Sequence, residues 1–485
     1  MEYFLIVDEG TTSTRAMIFD EEGNLISSSN RPLKTVYPIS GWVEQSAEEI
    51  FSKTIEAMED AIDQCGCTPS TVGITNQRET VVPWDSQSGL PLYNAIVWRD
   101  KRGQAMCERL KSNGYEPVIR AKTGLLIDPY FSASKMSWLI NNVPDVSNSL
   151  KKSRLKFGTI DAYLIWKITG KHLTEPSNAS RTMIYNINEM KWDKELSEVF
   201  GIPLDSMPEV IDSNGDFGNS KYGKISSVLG DQQSSLLGNM CVKVGDVKCT
   251  YGTGAFILAN AGSSKNPPSD GLLKTVAWSV RGKVSYAFEG SVLSSGESVN
   301  WLKRISLLKD DVEMETLSNF AKSDGIYFVP ALDGLGSPTW QPNARALFLG
   351  ISSSHTRSNI VRAVLESMAF SVSEVIDTFK KNGLDVSNIK VDGGGSKNSL
   401  LIQILSNSTK MDVERSKFHE MTAYGAFLMA KIKDEIGEIT NFKKDFELFR
   451  PKENIDEIYQ RWKMAEEISI NWANLKGDDR YKTLP

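Results

Sequence analysis

A chain of 485 residues exceeds what a single hydrophobic core supports, so at least two domains are expected. With 40% hydrophobic and 24% charged residues, a net charge of −6 and a pI near 5.5, the composition is that of a globular protein without a broadly basic surface, and no nucleic-acid partner is expected. No run of about 18 uncharged apolar residues could span a bilayer, and no charged-then-apolar leader opens the chain, so a cytoplasmic protein without membrane insertion is expected. The five cysteines (Cys65, Cys67, Cys107, Cys241, Cys249) form no CxxC, and the three histidines (His172, His355, His419) are dispersed, so free thiols and no structural zinc are expected.

The first predicted element is the apolar run Phe4-Leu5-Ile6-Val7, which ends in Asp8. A Gly10-Thr11-Thr12-Ser13 turn follows, then a second alternating run from Arg15 to Asp20. Backbone N–H groups and hydroxyls gathered in such a turn suit a phosphate chain, and the carboxylate of Asp8 suits its Mg²⁺. An ordinary hairpin would use the same glycine and threonines for the turn alone. Residues 46–64 read as a helix, with Ser46 and Glu49 as a capping box. Short strands follow at 71–74, 80–82 and 95–100, and the alternation places the chain in the α/β class. An apolar helix is predicted over 162–168, and 211–226, rich in Gly, Ser and Asn, reads as a loop.

At Val247 to Asn260 the opening pattern recurs: strand, a turn at Gly252-Thr253-Gly254, strand. Two such hairpins, each heading about half the chain, indicate an internal duplication with a boundary near 240–250, hence domains 1–246 and 247–485. A strand at 325–330, a helix over 358–379, and a strand at 389–392 entering Gly393-Gly394-Gly395 and a helix over 399–407 complete the second half.

No GxxxxGK[ST] and no GxGxxG after a strand is present, so neither a P-loop nor a dinucleotide fold is indicated. The two hairpins could instead clamp a polyphosphate across a cleft through Thr11, Thr12, Ser13, Arg15 and Thr253, since phosphoryl transfer needs mainly positioning and charge neutralisation. Gly393 to Gly395 would let a flat ligand approach the backbone, with Asn398 one turn on, or would be a plain βα turn. Asp231, in Gly230-Asp231-Gln232-Gln233, is either an N-cap or a general base. Arg78, Glu79, Trp98, Asp100 and Tyr130 suit a small polyol, or are surface ion pairs and core aromatics.

Taken together these stretches resemble the glycerol-phosphorylating members of the FGGY carbohydrate kinase family, in the actin/hexokinase/Hsp70-like ATPase superfamily. The resemblance runs nearly end to end. It covers Asp8 to Arg15, Asn76 to Thr80, Trp98 to Arg102, Asp128 to Ser132, Asn178 to Met183, Gly230 to Gln233, Tyr251 to Gly254, Gly334 to Pro338 and Val391 to Gly394. It implies two duplicated actin/ribonuclease H-like domains with mixed central sheets and a cleft between them. It also implies ATP-dependent phosphorylation of glycerol to sn-glycerol 3-phosphate, with Asp231 as base. Arg78, Glu79, Trp98, Tyr130, Asp231, Gln232 and Phe256 would surround glycerol. Thr11, Thr12, Ser13, Arg15, Thr253, Gly296, Asn300, Gly394 and Asn398 would hold ATP, and Asp8 would hold Mg²⁺ through water. A homodimer or homotetramer is implied by the same likeness. The alternatives are an FGGY kinase for another polyol or a ketose, and a non-catalytic actin-like ATP-binding protein. Two departures from the family pattern stand out. Glu9 replaces the usual glutamine. The loop Asn219 to Lys224 is short and lacks arginine, so weak or absent inhibition by fructose 1,6-bisphosphate is expected.

Overall fold

The computed structural model describes residues 2–264, 268, 271–442 and 444–475. Strand β1 (Tyr3–Glu9) is buried on both faces, which its apolar run satisfies only inside a sheet covered by helices on each side. It turns at residues 10–12 into antiparallel β2 (Ser13–Asp20), with Asp8 opposite Arg15, and β2 pairs with β3 (Leu25–Pro32). On its other side β1 has a parallel neighbour, β4 (Thr71–Asn76). Adding β5 (Gly218–Ser220) and β6 (Gly223–Gly230) gives a mixed sheet in the order β5-β6-β4-β1-β2-β3.

The edge hairpin of β5 and β6 lies where a loop was expected. Its two-residue turn, Lys221-Tyr222, is held by Glu59, whose Oε1 accepts from Lys221 Nζ and from the Tyr222 hydroxyl, each at 2.8 Å. Gly223 follows at φ +119°, with the Ser70 backbone too close for a side chain. Composition signalled the turn residues and concealed the pairing.

The second half repeats the plan. β7 (Asp246–Tyr251) turns into antiparallel β8 (Ala255–Gly262). With β9 (Leu273–Val280), β10 (Lys283–Val292), β11 (Asn388–Asp392), β12 (Val413–Ser416) and β13 (Phe446–Phe449) it builds the order β9-β10-β8-β7-β11-β12-β13. In each sheet the first hairpin strand has a parallel partner on its far side. Asp8 is level with Thr75 in one, and Thr250 with Asp392 in the other. The duplication expected from the repeated hairpin is therefore a duplication of topology.

Helix α1 (Ala47–Cys65) covers one face of the first sheet. Ser46 caps it by accepting from Glu49 N at 3.2 Å, while the Glu49 side chain turns to Lys34 N and leaves the box half formed. Helices α2 (Ser132–Asn142) and α3 (Pro176–Ala179) lie on the way to α4 (Asp231–Gly238). In the second half, α5 (Gly296–Arg304) follows β10, and α6 (Arg357–Lys381) and α7 (Ser399–Thr409) pack on the second sheet. Between the two sheets lie α4 and α8 (Met421–Lys431). They cross with their backbones in contact: a Cβ on Gly425 would fall 1.8 Å from Ser234 O, and one on Gly238 2.0 Å from Met421 O. Phe4, Ile6, Met17 and Phe19 of the first sheet share a core with Leu236, Tyr424, Phe427 and Leu428 of these helices. A helix that follows both hairpins in sequence thus completes the core beneath the first one.

Cys65 and Cys67 are joined as a disulfide, which corrects the expectation of five free thiols. Gly66 ends α1 in the left-handed conformation, and the resulting reversal brings the two Cα atoms to 5.2 Å. Cys107, Cys241 and Cys249 are free and buried. Among the described residues no helix is long and apolar enough to cross a membrane.

Candidate active site

Beyond β4 the chain leaves the sheet through Gln77-Arg78-Glu79. Asn76 and Asn178 exchange amide hydrogen bonds of 3.0 and 3.1 Å, and Gln77 Nε2 donates to Gly10 O and Gln45 Oε1, each at 3.1 Å. These bonds hold the exit rigid. Glu79 sits at φ +62°, a conformation that costs a non-glycine residue on the order of 1–3 kcal/mol and is tolerated where the surroundings over-determine it.

What over-determines it is a buried quartet of charges. Arg78 grips Glu289 of β10 with both terminal nitrogens, at 2.7 and 3.0 Å. Arg181, just beyond α3, donates Nε to Glu79 at 2.5 Å and Nη2 to Glu289 at 3.0 Å. None of the four side chains is more than 2% exposed, and their charges cancel, as burial at this depth demands. Burial raises both carboxyl pKa values. At Glu289, Arg181 and Arg78 overcome that and hold the group below its ordinary range; at Glu79 burial wins and the group stays above it. The remaining edge of Arg78 faces the pocket, with Nε 3.4 Å from Asp231 Oδ1.

Asp231 is the first residue of α4, and 30% of its side chain is exposed. Gln232 fixes it by donating its backbone N–H to Oδ1 at 2.7 Å and Nε2 to Oδ2 at 3.2 Å. Gln232 is held in turn by Lys248 of β7, whose Nζ donates to Oε1 at 2.7 Å and whose burial lowers its pKa. Trp98, Tyr130 and Phe256 form an aromatic wall beside these groups. The Trp98 ring lies edge-on to Tyr130 at 5.6 Å and to Phe256 at 6.3 Å. Lys135 of α2 anchors the tyrosine's turn by donating to the carbonyls of Pro129, Tyr130 and Phe131. Trp98 Nε1 donates to Thr11 Oγ1 at 2.9 Å, tying the wall to the first hairpin.

In that hairpin Gly10 N donates to Ser13 O at 3.0 Å, and Thr12 is exposed at the tip. Asp8 is buried beneath it. Burial raises its carboxyl to about 6, with Arg15 opposing and Glu420 and Asp231 adding to the rise. Arg15 Nε is 3.9 Å from Asp8 Oδ2. Glu9 points to the opposite face of the sheet, as the two-residue period of a strand requires. There it accepts from Thr54 Oγ1 of α1 at 3.2 Å, and burial raises its carboxyl to about 8. The glutamate in place of glutamine is therefore a core substitution, turned away from Asp8.

In the second hairpin the N-terminus of α5 sits on the turn. Gly296 N donates to Gly252 O at 3.1 Å and Glu297 N to Thr253 O at 2.9 Å. A Cβ on Gly296 would lie 2.4 Å from Gly252 O, so only glycine permits the approach. Asn300 is exposed one turn further on. On the neighbouring strand exit Gly393 adopts φ +84° against Tyr251 O, and Gly394 faces open space. Asn398 caps α7, accepting from Leu401 N at 3.1 Å.

Asp100, grouped with Trp98 in the sequence, does not join the pocket. Its Oδ2 accepts from Val43 N, and both of its oxygens accept from Arg102. The residues that sequence reasoning missed are Arg181, Glu289, Lys248 and Glu420. Two of them carried a signal: Glu289 in Ala287-Phe288-Glu289-Gly290 and Lys248 in Val247-Lys248-Cys249 are single charges inside apolar strand runs, which need a partner.

Two sheets of one topology, a layer of paired helices between them and glycine-threonine hairpins facing a charged pocket define a phosphotransferase-like α/β architecture. The sequence matches the FGGY family of carbohydrate kinases, N-terminal domain, over residues 3–238 and its C-terminal domain over residues 247–433. The chain belongs to the FGGY family of carbohydrate kinases. It is 41% identical to glycerol kinase 2 of Thermotoga maritima, over 97% of this chain and 99% of that protein. It is 42% identical to glycerol kinase 2 of Sulfolobus acidocaldarius, over 98% and 99%. Among solved structures it is similar to Plasmodium falciparum glycerol kinase with ADP, at 32% identity, a TM-score of 0.90, and coverage of 98% of this chain and 99% of that one.

Proposed function

We propose that the chain transfers the terminal phosphoryl group of ATP to glycerol, releasing ADP and sn-glycerol 3-phosphate, as a first step of glycerol utilisation. The observation that carries this reading is the pocket in which Trp98, Tyr130 and Phe256 face Arg78, Glu79 and Asp231, in a chain whose relatives at about 40% identity are glycerol kinases. A three-carbon chain would lie against the rings. Its hydroxyls would meet the pocket-facing edge of Arg78, the carboxylate of Glu79 and the amide of Gln232. Asp231 accepts the proton of the attacking hydroxyl as oxygen bonds to phosphorus and the bond to ADP breaks.

Thr11, Thr12, Ser13, Arg15 and Thr253 would hold the phosphates, and Gly296, Asn300, Gly394 and Asn398 the nucleoside. Asp8 offers the hard oxygen that Mg²⁺ prefers. Among the described residues no three His, Cys, Asp or Glu side chains are grouped to ligate a metal, so Asp8 would act through water. When bound, the ion neutralises charge on the phosphate oxygens. In this reading residues 1–246 carry the polyol pocket and first hairpin, and 247–485 the second hairpin and nucleoside side. Drawing on ATP, the enzyme would work in the cytoplasm, as a homodimer or homotetramer. The two-residue turn at Lys221-Tyr222, engaged by Glu59, leaves little to bind a sugar bisphosphate, so fructose 1,6-bisphosphate should inhibit weakly or not at all.

ADP release measured across glycerol, dihydroxyacetone, xylulose and gluconate tests the reading. Turnover with glycerol is expected. Turnover with a ketose alone would make this another FGGY kinase, and ATP binding without acceptor-dependent turnover would make it a non-catalytic member.

A further inference from the structure

Glu420 occupies the N-cap position of α8, yet its side chain makes no capping bond. Only its backbone carbonyl serves the helix, accepting from Tyr424 N at 2.9 Å. The carboxylate turns instead toward the first hairpin, where Oε2 accepts from Arg15 Nη1 at 2.5 Å. Arg15 Nε lies 3.9 Å from Asp8 Oδ2, so one guanidinium spans two carboxylates that are more than 400 residues apart in sequence. The Arg15 side chain is 40% exposed and that of Glu420 32%, so the pair borders open space and is not part of the core.

The position of Glu420 is fixed by packing. Gly425 and Gly238 bring α8 and α4 into backbone contact, Ser234 Oγ donates to Thr422 O at 2.7 Å, and Ser227 Oγ to Ala426 O at 2.8 Å. The same α4 begins with Asp231. The start of α8 is therefore held in a set relation to the proposed base and to the hairpin. Arg15 thus stands between Asp8 beneath the hairpin and Glu420 at the start of α8.

We propose that Glu420 is a positioning residue for phosphoryl transfer, holding the Arg15 guanidinium over the first hairpin where it meets the phosphate chain. This rests on the placement of Arg15 at the phosphates in the proposed function. An arginine on a flexible stem loses less freedom on meeting an anion if a carboxylate already fixes its fork. Glu420, reaching in from a helix of the second half, supplies that constraint.

The test is a double-mutant cycle in the full-length chain with Arg15→Ala, Glu420→Ala and both together, measured as kcat and KM for ATP and for glycerol. Glu420→Ala is expected to lower kcat or kcat/KM for ATP about tenfold, the scale of one hydrogen bond to a charged group, with the glycerol KM within about twofold of the parent. Glu420→Asp should recover part of the loss, and the double variant should be no slower than Arg15→Ala. Independent, multiplying losses, or a parental rate for Glu420→Ala beside an impaired Arg15→Ala, would overturn the proposal alone. A parental rate for Arg15→Ala would remove Arg15 from the phosphate site and overturn both. A fall in thermal midpoint without the coupling would make Glu420 structural and sink its positioning role.

Discussion

The two sheets place equivalent strand exits beside their hairpins, and the chain uses them in opposite ways. At the end of β4, Arg78 and Glu79 enter a quartet closed by Arg181 and Glu289, none of the four side chains more than 2% exposed. At the end of β11, three glycines carry no side chain, and Gly393 packs its backbone on Tyr251. One site is shaped by side chains fixed in advance and suits a small ligand read through its hydroxyls. The other is shaped by backbone and suits a large flat ligand that needs room. In the proposed function a duplicated topology would thus serve two recognition chemistries, because the strand exit sets a position and leaves the residue type free.

Breaking the charged exit should cost most. Glu289→Ala leaves two buried guanidiniums short of a partner and is expected to destabilise the fold by about 3–5 kcal/mol, read from urea denaturation. The milder Glu289→Gln should raise the glycerol KM and spare the ATP KM; equal movement of both would show that the quartet is not particular to the polyol pocket. Asp231→Asn removes the proton acceptor and is expected to lower kcat at least ~100-fold while the protein stays folded. A near-normal kcat would take the base role from Asp231.

Glu9 offers a contrast between a carboxylate in the core and those in the pocket. Its folded pKa of about 8 lies above the ordinary 4.5, so the fold favours the neutral acid. Its contribution to stability is complete below pH 4.5 and is lost as pH rises toward 8, at up to about 1.4 kcal/mol per pH unit. Glu9→Gln, neutral at every pH, should flatten the fall in urea midpoint between pH 6 and 8; an unchanged slope would mean that Glu9 is ionised in the fold. The glycine exit should yield least. Gly393→Ala meets a positive φ and the Tyr251 carbonyl, and is expected to cost on the order of 1 kcal/mol or more and to raise the ATP KM with the glycerol KM unmoved. Movement of the glycerol KM instead would break the division of labour between the two exits.

Both hairpins were legible in the sequence, because an apolar run, a glycine-threonine turn and a second run form a hairpin from local preferences alone. The helices α1, α6 and α7 were legible within a residue or two for the same reason. The edge pair β5 and β6 was not, since turn residues describe a loop equally well until a neighbouring strand is known. Asp100 was misplaced into the pocket because the strand expected over 95–100 ends at Ile96, and the turn that follows, closed by Asp100 N donating to Val97 O, breaks the alternation that would have kept Trp98 and Asp100 on one face.

By itself the sequence determined the α/β class and the repeated hairpin, both of which depend on neighbours within a few positions. Tertiary structure decided which charges meet: Arg78 with Glu289, Arg181 with Glu79, Arg15 with Glu420, pairs 102 to 405 residues apart. It also decided that α8 completes the core beneath the first sheet and that Glu9 turns away from Asp8. A buried charge must find its opposite, and a packed helix its groove, but which one is chosen depends on how the two sheets and the helices between them come together.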